Sequence, residues 1–328
     1  MTELPANINV SICICTFRRP ELLANLLSSL SSQLISVQHN SFVLGGVEVI
    51  VVDNDPYNSA LPVLTQAQCT MGNQLIGLHA PVPNISLARN LAVHQARGVW
   101  VVMMDDDEIP AADWIVRLIE AQQTYQADVV FGPVLVHYAD GVSAWLQQGA
   151  YFERRRLVTG TRVEAHDARS GNVLIRRSAL VALCPADDFA SGPFDPEYGR
   201  TGGEDSILFR ELGKRGAVMV WCDEATVSEL VPVERATANW LLQRSYRTGQ
   251  LYLRAELYGL SGQMRWKKFI GLSLRALVQG VAALVLTLVC LPFSRHRAFF
   301  WLRTASSQTG KLSVWAGSAV QSYGHSPT

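Results

Sequence analysis

The chain is apolar from Val99 to Met104 and then stops on four consecutive acids, Asp105-Asp106-Asp107-Glu108. An uninterrupted apolar run suits a strand buried on both faces. Adjacent carboxylates suit neither a strand interior nor mid-helix, because their repulsion has to be offset by a cation or by solvent. Ile109-Pro110 follows, and then a helical pattern from Ala111 to Glu120. The acids therefore sit where a strand ends and a helix begins. Open α/β sheets bind ligands at the carboxyl ends of their strands, and hard cations such as Mg²⁺ take carboxylate oxygens together with substrate phosphates. A metal–diphosphate site is the functional reading. An isolated acidic triplet would read only as a solvated loop, so the surrounding pattern has to decide.

That pattern is an alternation of strands and helices. Val10–Thr16 reads as a strand, and Pro20-Glu21 opens a helix with Leu22, Leu23, Leu26, Leu27 and Leu30 on one face. Val47–Val52 is a second strand, ending on Asp53-Asn54-Asp55-Pro56, and Leu75–His79 a short third. Ser86 precedes a helix running to about Arg97, which leads into the Val99–Met104 strand. This order predicts an α/β fold, a doubly wound and mostly parallel sheet with right-handed crossovers. Neither GxGxxG nor GxxxxGK[ST] is present, so the dinucleotide and P-loop fingerprints are absent.

The second half predicts strands over Asp128–Val136 and Val218–Trp221, with a turn-rich loop from Ser191 to Gly203 entering a helix from Glu204 to Lys214 that Gly216 closes. After about Val231 the character changes. Residues 236–260 form an Arg-rich amphipathic stretch, and Phe269–Pro292 is an apolar block between Arg265-Trp-Lys-Lys268 and Arg295-His-Arg297. Its uncharged part, Ala276–Leu291, falls short of the roughly 20 residues of a spanning helix. A helix lying in or dipping into the cytoplasmic leaflet is expected, with a core or oligomer helix as the alternative. Two domains are expected, 1–231 carrying the sheet and 232–328 a helical, membrane-associating extension with its apolar segment at about 269–292.

Lys plus Arg and Asp plus Glu are 28 each, a formal net charge of zero that argues against nucleic acid as a partner. The first nine residues lack the pattern of a secretory signal, so the sheet domain is expected on the cytosolic side. Six cysteines occur without a CxxC pair, which reads as small buried hydrophobes in a reducing compartment rather than a zinc site. His137 and His166 are isolated and carry no assigned role.

Five segments stand together: Thr16-Phe-Arg-Arg19 and Asp53-Asn-Asp55 at two strand ends, Asn84-Ile-Ser-Leu-Ala-Arg-Asn90 opening a helix, and Met104-Asp-Asp-Asp107 with Gly202-Gly-Glu-Asp-Ser-Ile-Leu-Phe-Arg-Glu-Leu212. Over residues 8–230 this resembles the family 2 glycosyltransferases of GT-A fold, in particular bacterial exopolysaccharide enzymes of the succinoglycan-biosynthesis type. The resemblance implies an enzyme that moves a sugar with inversion from a nucleotide-sugar, a UDP-sugar before GDP or dTDP, to a lipid-linked or polysaccharide acceptor at the cytoplasmic face of the inner membrane, with a divalent metal, Mn²⁺ or Mg²⁺. It implies Thr16 and Asp53 in the nucleobase pocket, Arg89 as a cation near the nucleotide, Asp105 and Asp107 on ribose and metal, and Asp106 able to substitute in either role. It implies Asp205 as the general base with Glu204 beside it. Out of context the last two read as ordinary acids in a first helical turn. Gly171-Asn172 matches a segment near the acceptor. Gln243-Arg-Ser-Tyr-Arg247 departs from the Gln-x-x-Arg-Trp of processive synthases, which points to transfer of one sugar; Arg244 and Arg247 read either as diphosphate contacts or as a solvated basic face. Two other readings compete: a nucleotidyltransferase that makes the sugar-nucleotide, disfavoured by the lack of glycine after the first strand, and a non-catalytic subunit that has kept the fold, disfavoured by retention of the acids.

Overall fold

The structure is a computed structural model and describes residues 8–38, 46–184 and 191–316. In chain order its main elements are β1 (Ile8–Thr16), α1 (Pro20–Gln38), β2 (Gly46–Asp53), α2 (Leu61–Met71), β3 (Leu75–His79), α3 (Ile85–Gln95), β4 (Trp100–Asp105), β5 (Glu108–Pro110), α4 (Trp114–Tyr125), β6 (Val129–Phe131) and β7 (Val134–Tyr138). There follow α5 (Ala144–Gln148), β8 (Val173–Arg176), α6 (Arg177–Val181), α7 (Glu204–Lys214), β9 (Met219–Trp221), β10 (Val227–Val231), α8 (Ala238–Leu257), α9 (Gly262–Cys290) and α10 (Arg295–Ser313). The chain divides into two compact units: Met1–Leu135 with Arg154–Glu229 and Ser322–Thr328, and Val136–Glu153 with Leu230–Gln321. The second unit thus takes in residues 136–153 as well as the region after 231.

The first unit is built on a seven-stranded sheet of order β3-β2-β1-β4-β8-β6-β9. β1 runs parallel to both β2 and β4, β2 to β3 and β6 to β9, whereas β8 runs antiparallel to β4 and β6. Alternate residues of each strand serve the two faces. Ile12, Ile14, Val49, Val51 and Val102 pack with Leu23, Leu26 and Leu27 of α1 and Trp114, Ile115 and Leu118 of α4. Ile50, Val52, Val101 and Met103 pack on the other side with Ala88 and Ala92 of α3 and Leu208 and Leu212 of α7. Both faces being covered explains why these strands read as continuous apolar runs. β2 also carries a fully buried acid, Glu48, held by Ser11 Oγ at 2.6 Å and by Arg97 Nη2 at 2.6 Å.

Several local readings are corrected. The stretch Asp128–Val136 is not one strand: the chain breaks at Gly132-Pro133, so that β6 joins the large sheet and β7 a three-stranded sheet of order β5-β10-β7. Gly132 has no room for a side chain, because a Cβ there would meet Ala225 O at 2.2 Å and Asn172 Nδ2 at 2.4 Å. Glu108-Ile-Pro110, assigned no element from the sequence, is the strand β5, paired with β10. Helix α3 is capped by Asn84, whose side chain accepts from the backbone N–H groups of Ser86 and Leu87. Of the cysteines, only Cys13 and Cys222 are buried; Cys69 is exposed. All six are free thiols.

In the second unit Val142, Leu146, Tyr151 and Phe152 share a core with Leu241 of α8 and Phe299 of α10. Phe152 stacks on Trp240 at 5.6 Å, and Tyr151 meets Phe299 edge-on at 5.3 Å. Helices α8 and α10 touch backbone to backbone: a Cβ on Gly249 would lie 1.9 Å from Ser307 O, and one on Gly310 1.9 Å from Tyr246 O.

Candidate active site

The site lies at the carboxyl ends of β1, β2 and β4. Thr16 pairs in register with Asp53, and Cys15 with Asp105, so the three strands end level. The chain moves from β1 outward through β2 to β3 and then returns to the other side of β1 with β4. This is the topological switch point where open α/β sheets form a crevice.

The acids after β4 point in different directions. Asp106 turns into the protein, where its carboxylate accepts from Thr16 Oγ1 at 2.7 Å and from Arg19 Nη1 at 3.0 Å. The same guanidinium nitrogen reaches Asp107 at 3.1 Å. Loss of water raises the Asp106 pKa to about 6 against the pull of Arg19, and the like charge of Asp107 adds to the rise. Asp105 instead opens outward, with 43% of its side chain exposed. The walls of the crevice shield it from water and hold its pKa up; Arg89 opposes this and Asp107 reinforces it.

Glu108 was not anticipated. It is buried at the foot of the acids, and its Oε2 accepts from the backbone N–H of Asp105 at 3.1 Å. Its other oxygen, Oε1, has no hydrogen-bond partner among the described residues. Burial first, and then Asp105, push its pKa well above the ordinary carboxylate value. Gly171 closes over the pair: a Cβ there would lie 2.5 Å from Glu108 Oε1 and 3.2 Å from Asp105 Oδ2. Asn172, fully buried, accepts from Trp114 Nε1 at 2.6 Å and donates to Pro133 O and Ala225 O. The Gly171-Asn172 pair thus forms a rigid wall beside the acids.

Arg89 joins the acids after β4 to the start of α7. It is buried, gives Nη1 to Glu204 Oε1 at 2.5 Å and Nη2 to Asp105 Oδ1 at 3.4 Å, and lies 5.5 Å from the centre of the Phe194 ring. Burial alone would lower its pKa, but Glu204 and Asp105 outweigh that and keep it charged. Glu204 is buried too, its Oε2 without a hydrogen-bond partner among the described residues, and burial raises its pKa to about 7 despite Arg89. Its neighbour Asp205 is half-buried and accepts from the backbone N–H of Ser206 at 2.7 Å. Its charge is felt at both Arg89 and Asp105. Gly203 precedes these acids with φ 94°, a left-handed turn that delivers them as the first two residues of α7.

Asp53 stands apart from this cluster. It is fully buried, and its two oxygens accept from the backbone N–H groups of Asp55 at 2.9 Å and Ala60 at 2.7 Å. It organises the loop after β2 through these two hydrogen bonds. Asn54 beside it donates to Ala80 O and Val82 O, each at 2.7 Å, and accepts from Asn84 N at 2.8 Å, so that it ties three loops together. Asp55 pairs with Arg18 at 3.0 Å; burial would raise its pKa, but this and its other hydrogen bonds hold it below the ordinary value. Arg18, Arg19, Glu108 and Asn54 are the residues that strand-end reading missed. The run Thr16-Phe-Arg-Arg19 was the available signal for the first two.

Residues 11–183 match the model of glycosyl transferase family 2. Over 321 residues the chain is 31% identical to the succinoglycan biosynthesis protein ExoM of Rhizobium meliloti (strain 1021), covering 97% of this chain and 96% of that protein. Among solved structures it resembles the mannosyltransferase PcManGT from Pyrobaculum calidifontis, in complex with GDP-Man and Mn²⁺, with a TM-score of 0.63 at 16% identity over 95% of this chain and 88% of that one. It also resembles S. aureus TarS 1-349, with a TM-score of 0.52 at 14% identity over 95% and 92%. Fold, sequence and strand-end acids agree, and the chain belongs to the family 2 glycosyltransferases, of the exopolysaccharide-biosynthesis type.

Proposed function

We propose that this glycosyltransferase moves a single sugar, with inversion, from a nucleoside-diphosphate sugar to a lipid-linked or polysaccharide acceptor at the cytoplasmic face of the membrane, and that it uses a divalent metal. The observation that carries the reading is Arg89, which links Asp105 on the donor side to Glu204 at the head of α7. Inverting transfer is an in-line displacement at the anomeric carbon. It needs a base for the acceptor hydroxyl and an electrophile for the departing diphosphate, and one buried guanidinium holds both halves together.

Asp205 is the base in this reading. It is half-buried in the first turn of α7, and its charge reaches both Arg89 and Asp105. Glu204, enclosed and paired with Arg89, positions that arginine. Asp105 and Asp107 supply an oxygen-only donor set for Mn²⁺ or Mg²⁺. An ion of this kind takes one or two carboxylates from the protein, with the diphosphate supplying further oxygens. Asp105, paired with Arg89 only at 3.4 Å and with 43% of its side chain exposed, keeps carboxylate oxygen accessible to a cation. When bound, the metal neutralises charge on the leaving diphosphate. Thr16 and Asp106 form the inner wall of the nucleotide pocket, and Asp53 shapes its loop from beneath. A UDP-sugar is the preferred donor.

The test is a panel of UDP-, GDP- and dTDP-sugars incubated with the full chain, with Mn²⁺ or with EDTA, reading nucleotide release. Release from one nucleotide class, abolished by EDTA, is expected. Release from none of them, or release unaffected by EDTA, contradicts the metal-dependent reading.

A further inference from the structure

The second unit carries a net charge of +8, from twelve Lys or Arg against four Asp or Glu, in a chain that is neutral overall. The first unit is therefore acidic to the same extent. Within this basic unit α9 has an unusual surface. Its large side chains point away from protein: Ile270, Leu274, Leu277, Val281, Leu284 and Leu288 are each more than half exposed. Its buried positions are small, Ser273, Ala276 and Ala283. A helix that packs through small residues and presents large aliphatic ones outward has an apolar environment on its outer side. By length and composition α9 is apolar enough to cross a membrane, and it is the one helix among the described residues that is.

Its neighbour decides against crossing. Trp315 donates to Ser273 Oγ at 2.9 Å, and the Gly280 backbone lies against Gln308. Helix α10 therefore runs back along α9, which puts Arg303 and Lys311 level with the charge-free part of α9, Ala276–Cys290. Their side chains turn to α8: Arg303 Nε donates to Ser245 Oγ at 3.2 Å, and Lys311 Nζ lies 4.5 Å from the centre of the Tyr252 ring. A spanning α9 would draw both cations, with Gln308, to bilayer depth, a strongly unfavourable location. The charge-free helical part is also only about 22 Å long, against a hydrocarbon core of about 30 Å. Basic residues stand at both ends of the helix, Arg265, Lys267 and Lys268 at one and Arg295 and Arg297 at the other. A helix lying flat puts both ends at one headgroup level.

We infer that α9 lies in the plane of an anionic bilayer, its outward face sunk into one leaflet and α10 above it, so that the protein is held on a single face of the membrane. This rests on the reading above that the enzyme works at a membrane. The experiment uses full-length protein in two steps that separate the two claims. Flotation with phosphatidylglycerol vesicles tests attachment, and the full chain is expected to float; failure to float, or a dimer dispersed when Leu284 and Leu288 are changed, overturns both claims in favour of a contact between copies. Leu284→Glu with Leu288→Glu alters side chains that touch little protein, and at least a tenfold loss of vesicle binding is expected; unchanged binding overturns the assigned face. For sidedness, Arg297→Cys in cell membranes is treated with a membrane-impermeant maleimide from either side and mapped by peptide mass, with exposed Cys69 marking the side of the first unit. Labelling of position 297 from the Cys69 side is expected. Labelling only from the opposite side overturns the in-plane helix while leaving membrane attachment intact.

Discussion

Replacing Arg89 by Met removes the cation between Glu204 and Asp105 and keeps much of the bulk against Phe194. Breaking a buried pair from one side costs about 3–5 kcal/mol, because the remaining charge is left uncompensated. The cost depends on pH through Glu204. Its pKa is raised on folding from 4.5 to about 7, so protonation contributes about 3 kcal/mol of stability that is present below pH 4.5 and lost as pH rises through 7. Without Arg89 the folded pKa climbs further and the loss extends to higher pH. The variant should therefore be about 3–5 kcal/mol less stable than wild type at pH 8 and only about 1–2 kcal/mol less stable at pH 5.5, where Glu204 is protonated in both. Adding Glu204→Gln to Arg89→Met should recover part of the pH 8 loss. Hydrogen exchange of the α3 and α7 amides is the suitable assay, since it reports opening of this unit alone in a chain of two units. Equal destabilisation at both pH values, or losses that simply add in the double variant, would refute a buried Glu204–Arg89 pair.

Asp107→Ala should weaken Mn²⁺-dependent donor binding by tenfold or more and leave metal-free nucleotide binding little changed, as calorimetry with and without EDTA would show; equal losses in both conditions would speak for a purely structural acid. Gly171→Ala should lower turnover at least tenfold with the protein still folded, because the new methyl displaces the Glu108 and Asp105 carboxylates; wild-type turnover would mean the wall yields. Truncation after Val231 should leave a poorly soluble product instead of a clean sheet domain, since Leu146, Tyr151 and Phe152 lose Leu241 and Phe299; a well-behaved monomer by gel filtration would count against the shared core.

The sheet was legible because its strands are buried on both faces and end in acid, two local signals that coincide. Val10–Thr16, Leu75–His79 and Glu204–Lys214 needed no long-range knowledge. The antiparallel β8 and the break at Gly132 were hidden, because what sets them is the distant Asn172 and Ala225 backbone. The attachment of residues 136–153 to the C-terminal helices was hidden for the same reason: Tyr151 and Phe152 carry no mark of Trp240 and Phe299 as partners. In the site, the acid triplet and Arg89 were visible, but the fates of the individual acids were not. Sequence gives adjacent aspartates equal standing, whereas the strand end turns Asp106 inward and leaves Asp105 exposed. Asp53 shows another limit of sequence reading, since the strand end gave no sign that its carboxylate also ties down the backbone N–H groups of Asp55 and Ala60.

The central claim is that Asp205 takes the acceptor proton while the strand-end acids hold the donor. The direct measurement pairs Asp205→Asn with wild type in a transfer assay on membrane extracts supplied with Mn²⁺ and the accepted donor, alongside calorimetric donor binding. The account expects an inverted anomeric product from wild type, a loss of transfer of about 10²- to 10⁴-fold in the variant, and donor affinity within twofold. Transfer at the wild-type rate by Asp205→Asn, or a product that retains the donor's anomeric configuration, would contradict it.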